Sequence, residues 1–245
     1  MITNILFFLL FIAFGVCVGR IFTTIAYQLQ KKEKIDLKNF YCSKCGVKLT
    51  IKSLIPILSF IIQKGKCLNC NEKINPRCFI AELINLFIYT LIFFKFSFGF
   101  YSLYFGLLFS LILTIIMIDF EYYEITIQSI LLLVIFAIIY VIFSPTDPIF
   151  LLFSSVVYYG TTEILRIIME NIKNKKVLGD NDAKLMANCG IFLSIKNFGI
   201  FLFISGITGI IFYICWKKFK KEEIFPFAPI ILISMYLILI CKEFN

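Results

Sequence analysis

The sequence predicts an all-α polytopic membrane protein of about eight transmembrane segments, with a small cytoplasmic four-cysteine zinc module between the first and the second. Three observations predict it. Of the 245 residues, 60% are hydrophobic and only 16% charged, whereas a soluble domain is nearer half apolar and a quarter charged. Apolar runs close to the roughly 20 residues needed to cross the hydrocarbon core recur along the chain. Lysine and arginine gather in alternate loops. Apolar runs facing lipid must be helices, because every backbone polar group has to find its partner inside the segment.

The segments fall at 4–27, 79–96, 100–118, 126–144, 148–168, 184–195, 198–216 and 225–241. The first has neither a basic n-region nor an A-x-A-like site, so it is expected to be an anchor rather than a cleaved signal peptide. Its Gly15 and Gly19 form a G-x-x-x-G pair suited to close helix packing. The sixth segment is short; it would re-enter or lie at the interface, which leaves seven spans as the alternative. Eight spans put 29–78, 166–184 and 217–221 on one side, with eleven, five and four basic residues, twenty in all. The other side has Lys95, Lys196 and Lys242 alone. Basic loops mark the cytoplasm, so the N-terminus is expected outside. The domains expected are 1–28, a first span; 29–78, a cytoplasmic cysteine domain; and 79–245, a transmembrane catalytic domain.

The net charge of +9 is explained by those loops, and no nucleic-acid partner is expected; the partner of the apolar surface is the lipid bilayer. Histidine is absent. That excludes Ser-His and Cys-His nucleophilic sites and a His-ligated zinc protease. Any catalysis falls to carboxylates, lysines, tyrosines or cysteines.

Region 29–78 carries Cys42-x2-Cys45 and Cys67-x2-Cys70, with 21 residues between the pairs. Two such knuckles at this separation suit a tetrahedral four-cysteine zinc site. Gly46 and Gly65 sit where the knuckle turns need backbone freedom, and Lys44, Lys48 and Lys66 would favour thiolates. Disulfides are the alternative, disfavoured in a cytoplasmic loop. A module this small would depend on its metal to fold. Cys17, Cys78, Cys189, Cys215 and Cys241 lie in or beside apolar segments and read as small buried hydrophobes.

Carboxylates are costly in lipid, so their positions are informative. Asp119, Glu121 and Glu124 close the third segment; Asp180 and Asp182 precede the sixth. Both groups fall on the basic side. Two aspartates brought together there could share a proton and activate water; the plainer reading of each alone is a solvated interfacial charge. Glu121 and Glu124 are expected at the surface. Glu163 can pair with Arg166 one turn on. Glu82, inside an apolar segment, has no evident partner in the sequence.

Taken in order, these stretches resemble the type IV prepilin leader peptidases, a bacterial family of intramembrane-type aspartic proteases. The resemblance rests on Leu54-Ile55-Pro56-Ile57-Leu58-Ser59-Phe60 between the cysteine pairs, Pro76-Arg77 through Glu82-Leu83, Gly179-Asp180-Asn181-Asp182-Ala183-Lys184-Leu185 against a G-x-G-D-x-K-L signature, and Pro226-Phe227-Ala228-Pro229. It implies Asp119 and Asp182 as the catalytic pair. It implies prepilin or pseudopilin substrates, cut on the cytoplasmic side of the inner membrane. It also implies possible N-methylation from S-adenosylmethionine, for which no pocket is legible in the residues. Two departures stand out. The second glycine of the signature is Asn181, where a left-handed conformation would still be tolerated. The family's Ile-Pro-Asp is Ile125-Thr126-Ile127, which bears on loop geometry and substrate range. Two other readings fit the residues: a non-enzymatic transporter or assembly factor, and a peptidase that has lost activity.

Overall fold

A computed structural model describes residues 2–30, 45, 57–74, 76–174, 179–219 and 226–242. Cys42, Gly46, Leu54–Pro56, Lys175, Lys176, Lys220 and Lys221 lie outside the described residues. Each expected apolar segment is a helix: α1 Ile2–Gln30, α3 Arg77–Phe96, α4 Phe100–Tyr122, α5 Ile127–Phe143, α6 Pro148–Lys173, α7 Asp180–Leu193, α8 Phe198–Phe219 and α9 Ala228–Lys242. A short α2, Leu58–Ile62, precedes α3, and a 3-10 turn, Ile195–Asn197, joins α7 to α8. No strand occurs among the described residues, only a lone antiparallel bridge between Lys66 and Lys73.

The span count needs refinement. Among the described residues five helices, α1, α3, α4, α6 and α8, are long and apolar enough to cross a membrane. The other three are shorter: α5 has 17 residues, α9 has 15 and α7 has 14. At about 1.5 Å per residue, α7 extends roughly 20 Å, well short of a hydrocarbon core about 30 Å thick.

The helix ends follow local chemistry. Asp147 caps α6 by accepting from the Ile149 N–H at 2.9 Å, Pro148 opens it, and Asn174 closes it in the left-handed conformation at φ 52°. The prolines of Pro226-Phe227-Ala228-Pro229 delay α9 to Ala228.

The chain divides into two compact units, residues 1–114 and 115–245. In the first, α1 packs on α3. A Cβ at Gly15 would collide with the Tyr89 ring, and one at Gly19 with the Asn85 amide, so the glycine pair serves close packing. Phe11 sits against Tyr89, ring centroids 5.0 Å apart. A buried polar chain runs from the Tyr89 hydroxyl to Ser110 Oγ at 3.1 Å, and Ser110 donates to Asn85 Oδ1 at 2.7 Å. Such partners are required when polar groups leave water.

In the second unit α7 is the central element, packed against α5, α6 and α9. Leu185, Met186, Cys189, Phe192 and Leu193 are its buried face. Gly190 lets α6 come close: a Cβ there would stand 2.7 Å from the Ser154 carbonyl oxygen. Being packed among other helices, α7 can keep Asp182 and Asn188, residues that a lipid-facing helix of this size would not tolerate.

The burial expected of the five remaining cysteines is corrected. Only Cys189 is buried and Cys78 is half-buried, while Cys17, Cys215 and Cys241 point outward from α1, α8 and α9. Outward faces there are apolar, with Phe14, Ile211 and Leu237 equally exposed. A thiol costs little on such a face.

Candidate active site

Asp119 lies one turn from the end of α4 and is 4% exposed. Its Oδ2 accepts the backbone N–H of Ala228, the first residue of α9, at 3.1 Å. That N–H is one of the donors every helix start leaves unpaired, and it points the positive end of the α9 dipole at the carboxyl group. Asp182 is the third residue of α7 and half-buried. Its Oδ2 accepts the Gly179 N–H at 2.9 Å, while its own N–H donates to the Gly179 carbonyl at 3.1 Å. Both carboxyls therefore sit at helix N-termini. Burial pushes the Asp182 carboxyl above the usual aspartate range, and the hydrogen bond from Gly179 opposes that shift.

α9 packs against α7 and begins at the Asp119 carboxyl, and the charge of Asp182 bears on Asp119. Neither makes an ion pair among the described residues. Asp180 is handled differently. It is exposed, and Arg166 holds it at 2.7 Å while also gripping Glu163 at 2.8 Å. The expected Glu163–Arg166 pair is thus present, with Asp180 added from α7. Glu121 and Glu124 are exposed, as expected.

Glycine at 179 has a steric reason. A Cβ there would press to 3.2 Å from Asp182 Oδ2. Asn181 does not adopt the left-handed conformation considered for it. It is the second residue of α7, and it is not among the described residues with positive φ. Its side chain instead donates to the Ile125 carbonyl at 2.7 Å. Thr126, where the family pattern has proline, stands at φ −70° and ψ 140°, a conformation proline itself prefers. Both departures are therefore free of backbone strain. Beside the site, Phe120, Phe212, Trp216 and Tyr123 cluster; Trp216 stacks on Phe120 at 5.7 Å and on Phe212 at 5.8 Å and meets Tyr123 edge-on at 6.4 Å, centroid to centroid. Aromatic rings favour the edge of a membrane.

In the first unit, the sulfurs of Cys45, Cys67 and Cys70 lie within 4.8 Å of one another. Thiolates around a tetrahedral zinc, each about 2.3 Å from it, stand about 3.8 Å apart, so the three fit one ion. The Lys66–Lys73 bridge and the Cys67 N–H donating to the Glu72 carbonyl at 2.9 Å shape the second knuckle, and Gly65 takes φ 68°. Asn69 Nδ2 approaches Cys45 Sγ at 3.8 Å. Glu82 has two partners that the sequence did not disclose. It is 3% exposed, accepts the Ile57 N–H at 2.6 Å and pairs with Arg20 at 3.4 Å. The Ala228 N–H was also beyond sequence reasoning, since a backbone donor has no signature, although the paired prolines around it were a signal that the chain turns there.

Two family models match. The bacterial peptidase A24 N-terminal domain covers residues 13–96, and the type IV leader peptidase family covers residues 105–214. The chain belongs to the type IV leader peptidase family. The chain is similar to the prepilin leader peptidase/N-methyltransferase of Vibrio cholerae, 27% identical over 95% of this chain and 96% of that one. The enzyme of the same description from Bacillus subtilis is 26% identical over 89% and 88%. That from Neisseria gonorrhoeae is 24% identical over 82% and 71%. No solved structure matches. Membership makes the chain a membrane enzyme of the prepilin peptidase class and displaces the transporter reading.

Proposed function

We propose that the chain is an endopeptidase that removes the basic leader from type IV prepilins and pseudopilins at the cytoplasmic face of the inner membrane, with Asp119 and Asp182 as the catalytic pair. The observation that carries this is the convergence of α4, α7 and α9, which buries Asp119 against the start of α9 and brings the charge of Asp182 to bear on it. Asp180, two residues before Asp182, is exposed and engaged by Arg166. The cytoplasmic side follows from the distribution of basic loops, including Lys217 and Lys218 at the end of α8.

Two carboxyls acting on one another in a water-poor site resist double ionisation, and the proposed mechanism has the pair hold one proton. The ionised member takes a proton from water as the water oxygen attacks the scissile carbonyl carbon. The protonated member gives its proton to the carbonyl oxygen, forming a tetrahedral diol. On collapse the C–N bond breaks. The member that took the water proton passes it to the leaving nitrogen, and a diol proton returns to its partner. The pair again holds one proton. No histidine, metal or covalent intermediate enters these steps.

Cys42, Cys45, Cys67 and Cys70 are the proposed ligands of a structural zinc ion, supported by the clustering of the last three. That ion would hold the 29–78 module together. N-methylation of the new N-terminus from S-adenosylmethionine is supported by the names of the relatives.

The test is to co-express the full chain with a prepilin from the same genome and follow product size and mass. The wild type should remove the leader and add one methyl group. Asp119→Ala and Asp182→Ala should each lower cleavage at least about a hundredfold, and Asp180→Ala should cleave normally. Uncut substrate with wild type across the pilins of that genome would refute the reading. Cys67→Ser should lose zinc by elemental analysis.

A further inference from the structure

Asn181 stands at a place where the family signature has glycine. Glycine offers no side chain, and here the side chain is fully engaged. Nδ2 donates to the Ile125 carbonyl at 2.7 Å, and Oδ1 accepts from Lys184 Nζ at 3.0 Å. These partners fix which way the amide faces, because only its nitrogen can donate and only its oxygen can accept. Ile125 is 6% exposed, so its carbonyl lies in a region where an unmade hydrogen bond is costly.

The two segments joined by this bond are the two that carry the carboxyls. Ile125 belongs to the turn that follows Asp119. There the Tyr123 N–H donates to the Asp119 carbonyl at 3.1 Å, Tyr123 takes φ 54°, and Thr126 Oγ1 meets Ser129 Oγ at 2.6 Å to start α5. Asn181 is the residue immediately before Asp182 in the first turn of α7. The path from one carboxyl-bearing residue to the other is therefore a short turn, one hydrogen bond and one peptide unit. We propose that Asn181 is a positioning residue: its amide ties the turn after Asp119 to the start of α7 and thereby sets the spacing of the two carboxyl groups. Lys184 assists by holding the amide in the donating orientation. A chain with glycine at this position lacks the tie and must fix that spacing by packing alone.

The proposal rests on Asp119 and Asp182 being the catalytic pair, and the experiment separates the two claims. Cleavage of a purified prepilin by the full chain in detergent gives kcat and KM for wild type, Asn181→Asp, Asn181→Gly, Lys184→Met and the Asn181→Gly/Lys184→Met double variant. Asn181→Asp keeps the volume but turns an oxygen toward the Ile125 carbonyl. Both Asn181 variants should lower kcat about three- to tenfold, the span of one net hydrogen bond, and leave KM nearly unchanged, because the loss lies in the transition state. Lys184→Met should show a smaller loss, absent in the Asn181→Gly background. Wild-type kcat in both Asn181 variants, a change confined to KM, or an additive Lys184 effect would overturn the proposal. So would failure of both variants to fold, because the amide would then be holding the fold rather than the spacing. Asp119→Ala and Asp182→Ala run alongside: if these still cleave, the catalytic assignment itself has failed. If they are inactive while the Asn181 variants match wild type, the positioning role alone is lost.

Discussion

Glu82 and Asp119 make an instructive pair. Each is a carboxyl on an apolar helix, each is at most 4% exposed, and each accepts one backbone N–H, from Ile57 at 2.6 Å and from Ala228 at 3.1 Å. They differ in the sign of their neighbour. Glu82 faces Arg20 at 3.4 Å, while Asp119 faces Asp182. A buried carboxylate against a guanidinium has its charge compensated and ties α1, α3 and the Ile57 end of the cysteine module together. A buried carboxyl against another carboxyl cannot have both charges compensated, and it must share a proton. The first arrangement holds structure together; the second is the one proposed to support chemistry, at some cost to stability.

Substitutions that remove one carboxyl at a time test the contrast. Asp119→Asn should abolish cleavage, by at least about a hundredfold, without lowering the thermal midpoint. Glu82→Gln removes the carboxylate that faces the Arg20 guanidinium and should destabilise the protein by about 3 kcal/mol, read as a lower midpoint, with kcat of the folded fraction unchanged. A Glu82→Gln protein that is fully stable but inactive would reverse the distinction between the two carboxyls.

A smaller effect concerns pH. The carboxyl of Asp182 is raised above its ordinary value by burial. A raised carboxyl binds its proton more tightly folded than unfolded. Stability is therefore greatest below the unfolded value, near pH 3.8, and falls as pH climbs through the folded one. Asp182→Asn removes that penalty. Its thermal midpoint should exceed that of wild type at neutral pH, and the gain should vanish below about pH 4. An equal gain at all pH values would point to packing rather than charge. The smallest effect belongs to Gly179→Ala. The new methyl would sit 3.2 Å from Asp182 Oδ2, so kcat should drop a few-fold, about the effect of weakening one hydrogen bond, with little change in KM.

Much of this was legible along the chain. The apolar runs marked the five long helices and the three shorter ones, and their ends moved by only a few residues, mostly where Pro, Gly or a capping Asp intervened. Glu163 and Arg166 were legible as a pair because helical spacing brings them together. Other contacts were not legible. Arg20 and Glu82 lie on different helices. Asn181 and Ile125 belong to different turns, and the reading that Asn181 would replace glycine by conformation missed that it replaces nothing and instead adds a bond. The shortness of the sixth segment was legible, but that of α5 and α9 was not, because hydropathy reports apolar content and not whether neighbours shield a helix from lipid.

The sequence by itself determined the helices, since lipid leaves an apolar run no other way to satisfy its backbone. Its charges set an expected sidedness, and its lack of histidine left the chemistry to carboxyl, lysine, tyrosine or cysteine groups. The tertiary structure alone decided which charge each carboxyl meets. Electrostatic energy depends on separation and on the exclusion of water, and both are fixed where α4, α7 and α9 come together rather than at any one position in the chain.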